Sequence, residues 1–503
     1  QAILAQAQII VGDKPHSALG FESHYPQLVA GVRCKQADFI FSAGYPTMEV
    51  RAYNFEQAFE DFQSRLPHTD FVALDLELTG VELEGYPDNY KETAQSRFRK
   101  LCKTAETYTI IQVGITLVGR SKDGRVTLST YNILAFPWVG PELCGREPTI
   151  VCQATSLLFN ARHRLDFNAW LREGVRYMNR EEEERYIRTA DGKVDSNLNQ
   201  KVGLLRLWKA LSDAKLSLVI HSPLDLFFLL AAFETSRLPS SPREFSKLVR
   251  GHFPQVYDTA HIFGQLGSFH RRALSQFHED AKHWYEQKVS YGSRVDPVVF
   301  DVEPQTARRY KGKEDQHLEH EAGYDSLLTA ELFVYLSAIS FVKAHACVNR
   351  LYLHKSIYYI DLDLARRRGI LGSSYFDQTR DTLMVAVLKK TNDQETSRAI
   401  LRISSTVTWM DSQHILAVVS GLTTRDLEGK VPEVARWLPF ETWCRGGDFV
   451  SLCETRPSGA FGVLKDQLTY LMTIAAWVVA RAGSLISSSY CNEMKDGSCK
   501  NQR

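Results

Sequence analysis

Residues 71–78 read FVALDLEL, and they predict the β-strand around which the rest of the chain is organised. Side chains alternate across a strand, so Asp75 and Glu77 share one face with Phe71 and Ala73, while aliphatic residues fill the other face. The aliphatic face indicates a strand buried in a core. Two carboxylates roughly 6.6 Å apart on one side of such a strand repel each other and lack solvent. They indicate either a solvated or ion-paired strand end or a functional cluster of acids.

The composition is that of a globular protein with no overall attraction for nucleic acid. Of the 503 residues, 44% are hydrophobic and 24% are charged, and the net charge is +1. The length predicts about two to four domains. A site for a polyanion would have to be a local patch, because the whole chain is nearly neutral. The nine cysteines are odd in number and form no CxxC, which indicates neither a zinc ribbon nor a disulfide framework and is typical of a reducing compartment.

The sequence around the first strand predicts a mixed α/β body. Phenylalanines at helical spacing predict a helix over 55–66, and apolar runs predict strands over 108–118 and 128–136, which would form an antiparallel meander with the first strand. Strands and helices then alternate, as in an α/β fold. The predicted elements there are a helix over 167–178, strands over 216–221 and 256–259, helices beginning at Leu204, Pro223 and Leu327, and a polar loop over 289–316.

The chain divides into four predicted segments. They are an N-terminal extension over 1–52, the α/β body over 53–348, a small α/β unit over 349–460, and an apolar helix with a tail over 461–503. In the last segment, residues 464–486 are strongly apolar, but their uninterrupted core is shorter than the ~20 residues that a membrane span needs. A packed helix is therefore favoured, while a tail anchor stays open because tilting can rescue short spans.

Acids on two further elements could reach the edge of the sheet where Asp75 and Glu77 lie. Asp225 falls in the first turn of the helix after strand 216–221, where the helix dipole favours an anion. Asp325 lies near the start of the apolar helix, and His320 lies five residues earlier, in the loop that leads to it. Each has a plainer interpretation alone, because an Asp at a helix start is usually a cap and a lone His usually lies on the surface.

Together these residues have the chemistry of a two-metal hydrolase. Carboxylate oxygens without cysteine select Mg²⁺ or Mn²⁺ rather than zinc. Four carboxylates suit two divalent ions about 3.5–4 Å apart, one activating water and the other stabilising the leaving oxygen. A nearby histidine has a pKa close to the working pH and can accept the proton of the attacking water.

The motif D-x-E, a later Asp and H-x-x-x-x-D resembles the signature of the DEDD superfamily of 3′-to-5′ exonucleases, in its His-containing subgroup. The stretches FVALDLELTGV, TIIQVGITLV and HEAGYD, and above all the block over 151–185, resemble poly(A)-specific ribonuclease and its small-RNA-trimming relatives. The resemblance covers about residues 55–345. It implies a ribonuclease-H-like mixed sheet, two Mg²⁺ ions, and hydrolysis of single-stranded RNA from its 3′ end, often poly(A), to 5′-nucleotides.

The resemblance also implies roles for individual residues. Asp75, Glu77, Asp225 and Asp325 would hold the metal ions, and His320 would be the general base. Three further positions would contact the terminal nucleotide and its base: Leu78, Val81 and Phe159. Core or loop packing is an alternative for these three, and for Leu78 it is equally favoured, because apolar strand residues usually lie in a core.

The sequence departs from the family pattern at three places. Ala260 follows Asp258–Thr259 where the family has a lysine that contacts substrate, so adenine selectivity is in question. The nucleic-acid-binding domain inserted in vertebrate relatives is absent. The unit over 349–460 stands where the family has an RRM-like domain, but it lacks the aromatic signature that stacks bases. Trp409 in this unit is expected to be core rather than a base platform, and the unit could instead serve a homodimer or protein partners.

The sequence therefore predicts a Mg²⁺-dependent 3′-to-5′ exoribonuclease with this fold, acting on single-stranded RNA 3′ ends, with poly(A) tails as the first candidate. The alternatives are a trimmer of small or structural RNA, a catalytically silent scaffold in an RNA–protein assembly, and a DNA-proofreading type of the same superfamily, against which the 151–185 block argues. The intact set of five residues argues against a scaffold. An intracellular location in cytoplasm or nucleus is expected, and the mitochondrion stays open.

Overall fold

The computed structural model describes residues 48–140, 143, 148–190, 194–195, 197–266, 273–291, 297–311, 318–356, 358–363, 381–390, 394–404, 406–410 and 412–445. The predicted N-terminal extension, save its last residues, and the apolar segment over 464–486 lie outside these residues. Within them, no helix combines the length and the apolar character that crossing a membrane requires.

A mixed β-sheet forms the centre of the described chain. Its strands run in the order β1-β4-β3-β2-β6-β7, and β5 and β8 pair with β4. Strands β2, β3 and β4 form the predicted antiparallel meander, whereas β6 runs parallel to β2 and β7 parallel to β6. The strands are β1 (Glu49–Val50), β2 (Phe71–Leu78), β3 (Ile110–Arg120), β4 (Val126–Phe136), β5 (Val175–Arg176), β6 (Ser217–Ile220), β7 (Val256–Asp258) and β8 (Phe300–Val302).

Helices cover both faces of this sheet. Those of the body are α1 (Phe55–Arg65), α2 (Ala94–Thr107), α3 (Ala154–Arg162), α4 (Phe167–Glu173), α5 (Arg180–Thr189), α6 (Leu198–Lys201), α7 (Gly203–Asp213), α8 (Pro223–Phe233), α9 (Pro242–His252), α10 (Thr259–Leu266), α11 (Leu274–Ser290), α12 (Pro304–Tyr310), α13 (Ala322–Ile339) and α14 (Phe341–Ala346), with a 3₁₀ turn at Leu66–His68.

Strand β2 is buried on both faces, which explains its central place. Val72, Leu74, Leu76 and Leu78 belong to one apolar cluster, together with side chains of α1, α2, α7, α8 and α9. Ala73 belongs to a second cluster, formed with α10, α11 and α13, and Phe71 packs against it. Each fully buried aliphatic side chain contributes about 1.5–3 kcal/mol. The alternation in FVALDLEL therefore separates the two halves of the core.

Two predicted segments differ from the structure. The predicted helix over 167–178 ends at Glu173, where Gly174 leaves the helical conformation and donates its backbone N–H to Trp170 O at 3.2 Å, and Val175–Arg176 then pairs with β4. The predicted loop over 289–316 contains strand β8 and helix α12, since Phe300–Val302 gains a parallel partner in β4. Both differences come from pairing with β4, which local sequence does not report.

A second, four-stranded sheet follows the body. Its strands are antiparallel, in the order β12-β13-β11-β14, and a two-stranded ribbon precedes it. The elements are β9 (Arg350–Tyr352), β10 (Tyr359–Asp361), β11 (Asp381–Leu388), α15 (Gln394–Leu401), β12 (Thr406–Trp409), β13 (His414–Ser420), α16 (Thr424–Leu427), β14 (Val434–Pro439) and α17 (Phe440–Arg445). The predicted order of strand, helix, strand and strand is confirmed. The side chain of Trp409 lies outside the described part of the chain.

Candidate active site

Strand pairing brings the first three acids to one edge of the large sheet. Strands β2 and β6 run parallel, with Ala73 opposite Val219, so the C-terminal ends of both strands lie at the same edge of the sheet. Asp75 and Glu77 lie at this end of β2, and Asp225 follows β6 in the first turn of α8. Helix α8 begins sharply, because Ser222 accepts a hydrogen bond from Leu224 N at 3.2 Å and Pro223 occupies the first turn.

Helix α13 carries Asp325 to the same edge by an unusually close approach to the sheet. Gly114 of β3 stands directly opposite Asp75, and a Cβ there would lie 1.7 Å from Ala322 O. A side-chain hydrogen bond strengthens the same contact, since the Thr116 and Ser326 hydroxyls lie 2.9 Å apart. Only glycine lets the helix backbone reach the strand. Gly114 therefore sets the distance between Asp325 and the strand that carries Asp75 and Glu77.

Side chains from the sheet also satisfy the first N–H groups of α13. Ala322 N donates to Gln112 Oε1 at 3.4 Å, and Gly323 N donates to Asn132 Oδ1 at 3.2 Å. Glu321 accepts hydrogen bonds from Arg309, at 2.6 and 3.0 Å, and from the Tyr310 hydroxyl. Free N–H groups at a helix start need such partners. The start of α13, and with it the loop that holds His320, is fixed from several sides.

The acids share a poorly solvated site that disfavours their charge. Burial, and secondly the neighbouring carboxylates, raise the pKa of Asp75 and of Glu77 well above their usual values. Burial also raises the pKa of Asp225, followed by the charges of Asp258 and Asp325. Burial raises the pKa of Asp325 to about 7. Like charges brought together without solvent are costly, and a cation in their midst would remove that cost.

His320 sits beside Asp325 in an uncommon backbone conformation. Its φ is 66°, in the left-handed region, and its backbone N–H donates to Asp325 Oδ2 at 3.1 Å. Its ring Nδ1 lies 4.0 Å from the same oxygen. Burial, and secondly the nearby His163, lower the pKa of the His320 imidazole. The ring is therefore held next to the acids in the neutral form that can accept a proton.

The donor set fits divalent cations that prefer oxygen ligands. Ligand atoms of Glu77, Asp325 and His320 lie within 4.8 Å of one another. Asp225 Oδ2 is buried and has no hydrogen-bond partner among the described residues. A buried carboxylate oxygen without a donor is expensive unless a cation or proton meets it. Carboxylates with no thiolate among them match Mg²⁺ or Mn²⁺.

The three predicted substrate residues have different surroundings. Leu78 is 5% exposed and belongs to the apolar core. Val81 is 54% exposed and lines a cavity of about 590 Å³, to which Ala260 also contributes. Phe159 is 39% exposed, and its ring lies 4.5 Å from that of His320. Contact with a nucleotide stays a prediction for all three residues. The side chain of Leu78 is surrounded by the apolar core.

Three residues that shape the site were not predicted from the sequence. Gly114 permits the approach of α13, and His163 packs its ring on His320. Asp258 is fully buried, accepts from Tyr352 N at 2.7 Å and from His261 N at 3.1 Å, and adds to the charge near Asp225. A glycine inside a strand signals a close backbone approach, so of these three residues only Gly114 could have been singled out from the sequence.

Neutralising one acid of the cluster should stabilise the metal-free protein. The pKa of Asp325 is about 7 in the folded chain against an ordinary 3.8, so the folded state binds more protons between these values and loses stability as the pH rises through them. Asp325→Asn should therefore raise the free energy of unfolding at pH 8 by on the order of 2–4 kcal/mol in EDTA. Near pH 4 the gain should shrink toward zero. If denaturant unfolding gave the Asp325→Asn variant and the unaltered protein the same stability at pH 8, the electrostatic account would be contradicted.

One family model and several known proteins match this sequence. The model of the CAF1 family of ribonucleases matches residues 50–197 and 182–333, together more than half of the chain. An Arabidopsis thaliana protein named poly(A)-specific ribonuclease PARN is 30% identical over 190 residues, which are 36% of this chain and 27% of that protein. An uncharacterized Schizosaccharomyces pombe protein is 24% identical over 405 residues, 57% of this chain and 93% of its own length.

Among solved structures, S. pombe Pop2p in its Mg²⁺- and Mn²⁺-bound form is similar at 18% identity and a TM-score of 0.39, over 61% of this chain and 99% of that one. The match to the Arabidopsis protein spans only about a quarter of that relative's length. The family match itself includes Asp75, Glu77, Asp225, His320 and Asp325. The chain belongs to the CAF1 family of ribonucleases.

Proposed function

We propose that this chain is a divalent-metal-dependent 3′-to-5′ exoribonuclease that shortens single-stranded RNA, with poly(A) tails as its first substrate. The observation that carries the proposal is the convergence of four carboxylates from β2, α8 and α13 on one sheet edge, where burial and the charges of Asp325, Asp225 and Glu77 raise the pKa of Asp75. A structural core would not retain so many repelling acids without a compensating ligand.

Each residue has a distinct role in this proposal. Asp75, Glu77, Asp225 and Asp325 hold two Mg²⁺ ions, or Mn²⁺ in their place. When bound, such ions lower the pKa of water and stabilise the oxygen that leaves the phosphate. The imidazole of His320, whose Nδ1 lies 4.0 Å from Asp325 Oδ2, accepts the proton of the attacking water. Hydrolysis of the last phosphodiester then releases a 5′-nucleotide.

The surroundings of the acids support single-stranded RNA but leave base selectivity open. Phe159 offers an exposed ring beside His320, and stacking on one ring contributes about 1–3 kcal/mol whatever the base. The 590 Å³ cavity carries Val81 and, at the position of the family lysine, Ala260. Because Ala260 lacks the positive charge of that lysine, the base preference must be measured to decide between a deadenylase and a trimmer of other RNA ends.

We also propose that the unit over 349–460 is RRM-like and that the nuclease domain spans 53–348. The described elements from β11 to β14 follow the order β-α-β-β-α-β, which belongs to a recurrent split βαβ arrangement. One face of the sheet, with Leu383, Val385, Leu416 and Val418, is covered by Phe440 and by Tyr90 and Tyr358. A covered face cannot stack bases, which supports a role in dimers or protein contacts, in an intracellular RNA-processing assembly.

The proposal is tested with a 5′-labelled RNA that ends in an oligo(A) tail. We expect a ladder of products shortened from the 3′ end with Mg²⁺ or Mn²⁺ and none with EDTA. Tails of U or C in parallel reactions measure base selectivity, and a 3′-phosphate end should block the reaction. Because Ala260 replaces a lysine, the preference for A over U is expected to stay within about tenfold, or about 1.4 kcal/mol.

Two results would contradict the proposal. Absence of any ladder on all tails, from protein that unfolds cooperatively and binds Mn²⁺ by calorimetry, would favour the silent scaffold. Cleavage of single-stranded DNA at least as fast as RNA would favour the proofreading type. A ladder on U or C tails but not on A would keep the nuclease and replace the deadenylase with a trimmer.

A further inference from the structure

Three aromatic rings pack together immediately beside the acidic cluster. Phe159 and His163 lie with ring centroids 4.4 Å apart, Phe159 and His320 4.5 Å apart, and His163 and His320 4.4 Å apart. The interplanar angles of 50°, 67° and 66° are those of tilted and edge-to-face contacts, which attract aromatic rings by about 0.5–1.5 kcal/mol each. Every ring of the cluster therefore touches both others.

Helix α3 fixes the position of His163. The residue directly follows Arg162, the last residue of α3, and stands one helical turn after Phe159, so the two side chains lie on the same face. Its ring Nδ1 lies 2.9 Å from Phe159 O. A carbonyl oxygen only accepts, so Nδ1 carries the hydrogen and the ring cannot turn over without losing this bond. Phe159 and His163 form one rigid surface at the end of α3.

Apart from Phe159 and His163, few of the described residues restrain the ring of His320. Its loop is held through the backbone, by the hydrogen bond from His320 N to Asp325 Oδ2. Its side chain is 37% exposed, and the contact of its Nδ1 with Asp325 is 4.0 Å long, beyond hydrogen-bond range. Among the residues that the structure describes, the rings packed on this imidazole are those of Phe159 and His163, and they limit its rotation about its side-chain bonds.

We propose that His163 is a positioning residue for His320, holding the imidazole of the general base turned toward the four carboxylates. This inference rests on the proposed nuclease function. A proton acceptor must lie within hydrogen-bond reach of the water that it deprotonates. A misplacement of 1 Å can cost about 10²-fold in rate, so a ring that sets the angle of His320 acts on the rate through that imidazole.

The test compares three variants in steady-state assays on a short oligoadenylate with Mg²⁺. His163→Ala removes the ring and should lower kcat by about 10- to 100-fold, with KM within about twofold of the unaltered protein. His163→Phe retains an aromatic ring and should recover kcat to within about threefold. In a His320→Asn background, His163→Ala should add no further loss, because the imidazole that it positions is already gone.

His345→Ala is the matched control. His345 also stands four residues after a phenylalanine, packs its ring on Phe341 at 3.7 Å, and holds its Nδ1 3.0 Å from Phe341 O. This pair lies on α14, and removing it should leave both kcat and KM unchanged. The control thus repeats the local loss of a ring and a hydrogen bond without touching His320.

A spectroscopic measurement separates geometry from rate. With selectively labelled histidine, the ring-proton resonances of His320 should shift on His163→Ala, because a neighbouring ring current is lost, and should not shift on His345→Ala. Unchanged resonances, an unchanged kcat, a rise in KM alone, or additive losses in the double variant would each overturn the positioning role. If the unaltered protein has no metal-dependent activity, the proposed function fails first, and this inference with it.

Discussion

Asp75→Asn is expected to lower the rate of RNA 3′-end removal by about 10³-fold or more, equivalent to about 4 kcal/mol of transition-state stabilisation. Asp75 interacts with all three other acids, since burial and then the charges of Asp325, Asp225 and Glu77 raise its pKa. Asparagine keeps the shape of the side chain but supplies only a neutral oxygen. The variant should hold a divalent cation poorly and leave the phosphate charge uncompensated.

Asp70→Asn is the matched control for that result. Asp70 immediately precedes the same strand, but its side chain is 57% exposed and lies 3.7 Å from Arg120 in a surface ion pair. Such pairs contribute about 0–1 kcal/mol, so activity and stability should be nearly unchanged. Activity is measured on labelled RNA, Mn²⁺ binding by calorimetry, and folding by thermal unfolding. An Asp75→Asn protein that is folded and fully active would remove this residue from the metal site.

Gly114→Ala is expected to be the most destabilising single-methyl change in the sheet. The new Cβ would lie 1.7 Å from Ala322 O and 2.7 Å from Gly323 N. Backbone atoms cannot rotate away as a side chain can, so the start of α13 must shift. Overpacking of this kind usually costs about 1–3 kcal/mol and occasionally more, and we expect at least about 3 kcal/mol by denaturant unfolding.

The same shift should impair catalysis in the protein that remains folded. Moving α13 away from β3 moves Asp325 and the His320 loop away from Asp75 and Glu77, so Mn²⁺ affinity and rate should both fall at a temperature where the variant is native. Gly251→Ala is the control, because no atom lies within 4 Å of the added methyl at that position. Its stability should change by less than about 1 kcal/mol. A Gly114→Ala protein with normal stability would show that α13 can move away from β3 without an energetic cost.

The local sequence predicted the strands and helices that carry the site, but not the distances between them. Alternation placed Asp75 and Glu77 on one face, and Pro223 predicted the helix start that positions Asp225. Asp325 and His320 were grouped with them partly through family resemblance, because no local pattern links residues 75 and 325. The contact of Gly114 with Ala322 depends on packing between layers, which periodicity within one segment does not record.

The surroundings of His320 show the same limit. Residues 159 and 163 read as one turn of a helix, yet their neighbour in space is about 160 positions away. Strand β8 was missed for a similar reason, since its pairing partner in β4 lies far back in the chain. Strand β8 depends on long-range strand pairing, and the position of the His320 ring depends on long-range ring contacts. Neither kind of contact produces a periodic pattern in the sequence.

The backbone at His320 has a practical consequence for obtaining an inert form that traps RNA. A φ of 66° disfavours most side chains by about 1–2 kcal/mol, whereas asparagine and glycine adopt it readily. Alanine at this position would thus combine removal of the imidazole with a bias of the loop toward another conformation. Asparagine would remove the base and keep the loop. His320→Asn is therefore the substitution of choice for holding an uncut RNA 3′ end against an intact set of carboxylates.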